Sequence, residues 1–432
     1  MNRIKIWIDT RDSFWFVPLL YSTGAILLVF FVNLTDNWLA NYFSQHLSNI
    51  FFTEETVAVW LYGSLVTAIL TMTTISFSTI MVVLTTYSAQ FSPRTLQDFM
   101  RSKVTHHVLG IDCFGFIFAL LNLVLVDKQP LVTGPILMGM TAIVNLAFFV
   151  YFIHYSARWI QVNNLAVKIR RDSSKVIHQA YKKEEYNEYE TWDQKEIQLL
   201  NEQPKTIVQA PVSGYVQYIA HNRLIKWARH HDAVLDMKIQ MGDYVPKGFP
   251  IFLIYEEKTD LYRPEHEIRD KIVIGNERTD IADVEFMLQK LVEIALRAIS
   301  PAINDPHTAI NCINRIGTTL GELGGNYKEI CYLADKKGEL RIMQYPKKYE
   351  DYLYKSFYQL VHFAQGDVSI YYSLIDVLYK LALISDISIK RKVWNFHYFI
   401  IDAIDWDRLS QLNYEYLLQA YKNLTYACEV SE

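Results

Sequence analysis

Four long apolar stretches, nearly free of charge, dominate the first third of the chain. Amphipathic and alternating patterns fill the rest. Phe14 to Thr35 carries no charged residue, and neither does Thr56 to Pro93. Val108 to Val126 carries Asp112 alone, and Leu131 to Tyr155 carries only His154, near its end. A membrane-spanning helix needs about 20 apolar residues, so each stretch predicts one. The spans fall at about 14–34, 57–91, 106–127 and 131–156. The first is too long for a signal peptide, and no small-residue cleavage site follows it.

Beyond the fourth span, within a first domain of residues 1–160, the periodicity changes twice. Residues 161–203 read as a helical linker that includes the mixed-charge run KKEEYNEYETWDQKE and closes at Pro204. Residues 204–260 alternate β-branched and aromatic residues around glycine turns, as in TIVQAPVSGYVQYI and MGDYVPKGFPIFLIYE, and predict a small β-rich module. Residues 261–432 return to a helical period. Ile281, Val284, Leu288, Leu291, Ala295 and Ile299 share one face, and a second helix starts at Pro306. The fold class expected is a multi-domain membrane protein: four transmembrane α-helices, then a small barrel-sandwich-like module and an all-α domain.

Composition supports a chain partly in lipid. Of 432 residues, 51% are hydrophobic and 20% charged, with mean hydropathy +0.05. The net charge of −4 provides no global basic field for nucleic acid. Lys and Arg set the expected orientation. Asp36 to Glu55 has neither, whereas Arg3, Lys5 and Arg11, then Arg94, Arg101 and Lys103, then Arg158 to Lys175 flank the spans on the other side. A multi-pass protein of the cytoplasmic (inner) membrane with both termini in the cytoplasm is expected. Trp15, Trp38, Trp60 and Trp159 fall near predicted membrane edges. The cysteines Cys113, Cys312, Cys331 and Cys428 form no CxxC pair and no zinc-ligand spacing.

The candidate chemistry is sparse. In the second span Ser64, Thr67, Thr71, Thr74, Ser78, Thr85 and Ser88 recur at three, four and seven and form a stripe. Two readings stay open: close helix packing with hydroxyls bonded back to their own helix, or a wet face lining a path. Since no other span is this polar, a path needs several copies around an axis. Asp112 is the one acid inside a span, and an intramembrane carboxylate is a functional candidate. Its position beside His106, His107 and Lys103 also allows it to reach the interface. In RAISPAINDPHTA, Pro301 ends one helix after Ser300, Asn304 suits the turn, Asp305 caps the next helix and Pro306 takes its first position. Arg297 and His307 flank this corner, which either only turns the chain or also holds a ligand. His230 and His231 are adjacent and point in different directions on a helix, so they read as surface residues. No nucleotide-binding, P-loop, zincin or nucleophile-elbow motif occurs, so neither an enzyme, nor a cofactor, nor a metal site is expected.

Two stretches resemble one family. FSPRTLQDFM (91–100), with the membrane-proximal Ser92, Pro93 and Arg94, and RTDIADVEFMLQKLVEIALRAISPAINDPHTAINCINRI (278–316) are similar to the bacterial and archaeal predicted membrane proteins listed as domain of unknown function number twenty-two fifty-four. The resemblance runs over nearly the whole chain. It departs at Ala302, where the family has Gly, and at His307, where it has Phe. It implies an integral membrane protein and carries no activity with it. Two further pieces, APVSGYV and GDYVPKGFPIFLI, resemble biotinyl and lipoyl modules, but Met237-Lys238 lies in a strand rather than at the hairpin tip where a modified lysine belongs. The expected function is a homo-oligomeric channel or transport protein for an ion or small solute, with the second span lining the path. The alternative is a membrane scaffold or sensor that assembles or binds a partner. Lipid bilayer is the one partner common to both.

Overall fold

The apolar stretches fold as α1 (Phe16–Phe43), α2 (Glu55–Gln90), α3 (Lys103–Val124) and α4 (Thr133–Trp159) in a computed structural model of the chain. The structure describes residues 13–43, 53–90, 99–100, 102–126, 133–180, 186–256, 265–280, 282–364 and 366–428. All four helices are long and apolar enough to cross a membrane. The chain divides into two units, Met1–Asn164 and Leu165–Glu432.

In the first unit α3 packs against α1, α2 and α4. The core between them holds Ala25, Val29, Tyr62, Ile69, Phe118, Ala119 and Met138. Trp15, Leu19, Phe30, Trp60, Ile143 and Val150 are exposed on the outside, the distribution expected where lipid tails are the solvent. Lipid gives no hydrophobic drive to join apolar helices, so close packing must hold them. Gly115 shows that packing. A Cβ there would collide with the Asn145 amide, so glycine gives the α4 side chain its place against α3.

The second unit begins within α5 (Val162–Ala180), whose Arg170 pairs with Glu322. Its strands run β1 (Asn187–Tyr189), β2 (Lys205–Gln209), β3 (Gly214–Ile219), β4 (Ala233–Met237), β5 (Tyr244–Val245), β6 (Pro250–Glu256), β7 (Ile272–Gly275), β8 (Tyr332–Ala334) and β9 (Leu340–Met343). One sheet has the order β1-β8-β9-β4-β6-β2, and a second has β5-β3-β7. The first is mixed, because β4 and β9 pair in parallel while its other pairs are antiparallel. Neither sheet closes, so the expected barrel-sandwich is replaced by two open sheets. Nor is the region after 261 all helical, since it supplies β7, β8 and β9. Strands of three or four residues are too short for alternation to register against a helical background. Among the short helices, α6 (Gln194–Glu202) and α8 (Glu265–Arg269) flank the strands, while α7 (His221–His230) packs on β4 and β9.

Then follow α9 (Val284–Ala298), α10 (Pro306–Asn326), α11 (Tyr349–Phe363), α12 (Val368–Ile384), α13 (Ile387–Ile401) and α14 (Gln411–Cys428). Asp283, Asp305, Asp367 and Asp386 cap α9, α10, α12 and α13, each accepting an amide hydrogen from the first turn. Tyrosines of this region split by place. Tyr349 is buried and donates to the Leu320 carbonyl at 2.9 Å, while Tyr354, Tyr398, Tyr416 and Tyr426 are exposed.

A buried ionic network joins strands to helices within this unit. Glu285 is 5% exposed. It accepts from Arg278 Nη2 at 3.0 Å, Lys347 Nζ at 2.9 Å and Lys355 Nζ at 3.0 Å. Arg278 also reaches Asp283 Oδ1 at 3.0 Å and Gln289 at 3.1 Å. Lys347 donates to the Met241 carbonyl at 3.2 Å, and Lys290 pairs with Asp280 at 3.0 Å. Gly242 sits at φ +85°, and a Cβ there would collide with Asp283 and Arg278. The GDY turn therefore depends on glycine for both its backbone and its space. Burial pushes the Glu285 carboxyl up, but the charges and hydrogen bonds of Lys347, Lys355 and Arg278 outweigh it and hold it at about 2.

Removing one partner of a buried ion network leaves the others uncompensated, at a cost of about 3 kcal/mol or more. Glu285→Gln is therefore expected to lower the stability of this unit by that order in chemical denaturation. The pH dependence follows in sign. The folded value of about 2 lies below the ordinary 4.5, so the contribution is complete above pH 4.5 and is lost as pH falls from there towards 2. The Gln variant is expected to show a shallower acid limb.

Candidate functional site

The hydroxyl stripe of α2 lies on the face turned away from its own bundle. Ser64, Thr67, Thr71, Thr74, Ser78 and Thr85 are all exposed, while Tyr62, Ile69, Ser76, Ile80 and Val83 bury the opposite face. Each described threonine of the stripe donates back to its own helix. Thr67 bonds the Gly63 carbonyl at 3.0 Å, Thr71 that of Thr67 at 2.8 Å, Thr74 that of Leu70 at 2.9 Å and Thr85 that of Met81 at 2.9 Å. Ser78 does the same to Thr74 at 2.9 Å. The hydrogens are used inward, so oxygen lone pairs face out. The Ser88 side chain, and Ser92, Pro93 and Arg94 entirely, lie outside the described residues.

Asp112 is inside the bundle. It follows Lys103, the first residue of α3, by nine residues, or about two and a half turns. Its side chain is fully buried, and neither carboxylate oxygen has a hydrogen-bond partner among the described residues. Ser76 of α2 is its polar neighbour, close but without hydrogen-bond geometry, and its own hydroxyl is likewise buried and unpartnered. Asn145 of α4 fills the Gly115 notch, one turn along α3 from Asp112, and both its amide atoms are buried without partners. Three helices thus bring Ser76, Asp112 and Asn145 into one polar patch.

Sequence reasoning singled out Asp112 but not the other two. Asn145 interrupts an apolar run and was a visible signal. Ser76 was not, because it is one hydroxyl among many on α2 and only packing shows which face it takes.

The RAISPAINDPHTA corner is built as a helix stop and restart. Ser300 Oγ donates to the Arg297 carbonyl at 2.7 Å, and the Asp305 amide returns to the Ala298 carbonyl at 2.8 Å. Asn304 takes φ +50°, the left-handed region that asparagine tolerates better than most residues. Asp305 accepts from the Thr308 amide at 3.1 Å and the Thr308 hydroxyl at 2.6 Å, and Pro306 opens α10. The Thr308 hydroxyl and amide, with the charge of His307 beyond them, hold the Asp305 carboxyl below the usual carboxylate range. Arg297, Pro301, Asn304 and His307 are exposed. No cavity is needed to explain the residue types. His231, for its part, stacks on Trp227 with ring centroids 4.3 Å apart.

The RTDIADVEF stretch carries the ionic network already described. Arg278, Asp280, Asp283 and Glu285 sit in it, with Phe286 under Arg278 and Lys290 at 5.4 and 5.1 Å. Its charged residues are explained by packing.

Asp305→Ala is expected to destabilise the second unit by about 1 kcal/mol through the lost cap, read in thermal unfolding. Asp305→Asn keeps an acceptor and is expected to lose less. The cap's ionic part is present above the ordinary aspartate range and lost as pH falls through the lowered folded value, so the difference between wild type and Asn is expected to shrink in acid.

The chain is 27% identical over 339 residues to an uncharacterised protein of Mycobacterium tuberculosis (strain CDC 1551 / Oshkosh), covering 74% of this chain and 63% of that protein. An uncharacterised protein of Mycobacterium bovis matches to the same extent. The chain thus spans 63% of the length of these relatives. No solved structure matches it. A family model described as "Predicted membrane protein (DUF2254)" matches residues 11–380, and the chain belongs to that family of membrane proteins.

Proposed function

We propose that this protein is a homo-oligomeric channel or transport protein of the cytoplasmic membrane, with copies of α2 lining the path. One observation carries the reading. The hydroxyl face of the longest span points away from the chain's own core and is open to water or another copy. Several copies around an axis would gather these faces. With hydrogens bonded inward, the face presents oxygen acceptors, which replace the hydration of a cation better than that of an anion. A small cation is the cargo this lining suits best. The second unit then serves to gate or tether the spans.

A second reading has its own support. Hydroxyls that bond back to their own helix let two helices approach closely, so the same face also suits dry packing between copies in a scaffold or sensor.

The two readings separate on water access. In a background with Cys113 replaced by Ala, Thr67→Cys, Thr71→Cys, Thr74→Cys and Ser78→Cys are each introduced singly. A small hydrophilic thiol reagent is expected to label them in membranes and to block cation conductance in planar bilayers. No labelling and no conductance favours the scaffold. Thr67→Val with Thr71→Val is expected to preserve folding and to reduce conductance roughly tenfold, the scale of about one lost hydrogen bond.

A further inference from the structure

We propose that Asp112, Ser76 and Asn145 form a reversible proton-binding site inside the membrane bundle. Asp112 takes up and releases the proton, and the serine hydroxyl and asparagine amide serve its two protonation states.

The grounds are geometric. Asp112 is fully buried in a helix packed by three others. Five polar atoms of the patch are buried: both Asp112 oxygens, the Ser76 hydroxyl and both Asn145 amide atoms. None has a hydrogen-bond partner among the described residues. Buried polar atoms are nearly always paired, so a concentration of unpaired ones in an apolar bundle is unusual. Other polar side chains of the spans do find partners. Thr67, Thr71 and Thr74 satisfy themselves on their own helix, and Asn122 donates to the Phe118 carbonyl.

The surroundings decide the ligand. No described Lys or Arg contacts Asp112. Cys113 is beside it in the chain, and Tyr21 of α1 lies against Gly110 and meets His107 at 3.1 Å. His106 and His107 lie more than a turn towards the start of α3. From α2 and α4 come Ser76 and Asn145, which do not titrate. An ionised carboxylate in this setting has no compensating cation, and such a charge is costly in a bilayer. A proton removes the charge with no further ligand. No group of three or more His, Cys, Asp or Glu able to hold a metal occurs among the described residues, and one carboxylate with a hydroxyl and an amide is a poor divalent site. The amide offers a donor to the carboxylate and an acceptor to the carboxylic acid, so both states can be partnered by rotation of Ser76 and Asn145.

This inference goes beyond the path proposed for α2 and does not rest on it. Conductance reads one, and the protonation state of Asp112 reads the other.

The test is infrared difference spectroscopy on the full chain in lipid vesicles, with carbon-13 aspartate to separate Asp from Glu. Wild type is expected to show the carbonyl band of a protonated aspartic acid. The band should shift in heavy water, disappear reversibly as pH is raised, and be absent from Asp112→Asn. Ser76→Ala is expected to keep the band and move its frequency, which preserves the assignment if the Asn variant does not assemble. An Asp112 that stays ionised across the accessible pH range overturns the proposal. So does an acid band that neither titrates nor shifts in heavy water, which would mark a sealed structural acid, or one that ignores Ser76→Ala.

Discussion

A bilayer core has no water to satisfy polar groups, and this constraint governs the first unit. Backbone amides and carbonyls are satisfied by the helices themselves, so the question falls on side chains. The α2 threonines and Asn122 solve it locally by bonding carbonyls one turn back. Ser76, Asp112 and Asn145 do not. Polarity alone therefore does not mark a site in these spans. A residue that can return its hydrogen to its own helix carries no unmet demand. One that is buried on a packed face, and cannot do so, carries demand that folding has left open.

In the second unit the demand is met inside the protein. Three carboxylates and four cations close around the start of α9, and Gly242 makes room for them. Such a network is weak evidence for stability relative to an apolar core, yet removing one member is expensive. It does, however, fix register. The GDY turn, Arg278, Asp283 and the start of α9, and the approach to α11 with its second turn must all be in place for the charges to be matched. Arg278 to Phe286, at the start of the 278–316 stretch that resembles the family, carry this matching.

How much could be read beforehand depended on the range of the interaction. The spans were legible because an apolar run of about 20 positions with at most one charge is a local property. The SPAINDP corner was legible for the same reason, since Asp305, Pro306 and Thr308 settle it within four positions. Strands β8 and β9 were not, because a strand of three or four residues is defined by its neighbours in the sheet, and β9 finds β4 about a hundred positions away. The barrel expectation failed at that point: β2 to β6 do pair, but the sheet extends sideways through β9 and β8 instead of closing. Asp112 was visible as a lone acid. Its depth was not, since α3 starts at Lys103 rather than at His106, and its companions lie on two other helices.

Five aspartates in the described chain show what burial adds to residue identity. Asp283, Asp305, Asp367 and Asp386 each sit at a helix start, and each carboxylate meets backbone hydrogens within three positions. Any aspartate placed there would find those partners, because the helix start supplies them. Asp112 sits in mid-helix, where the backbone has no hydrogen to spare and lipid surrounds the bundle. Its partners can come only from other helices or from a proton. The same side chain is thus structural where the backbone is open and chemically unsettled where it is closed, and that difference is what separates the corner at Asp305 from the patch at Asp112.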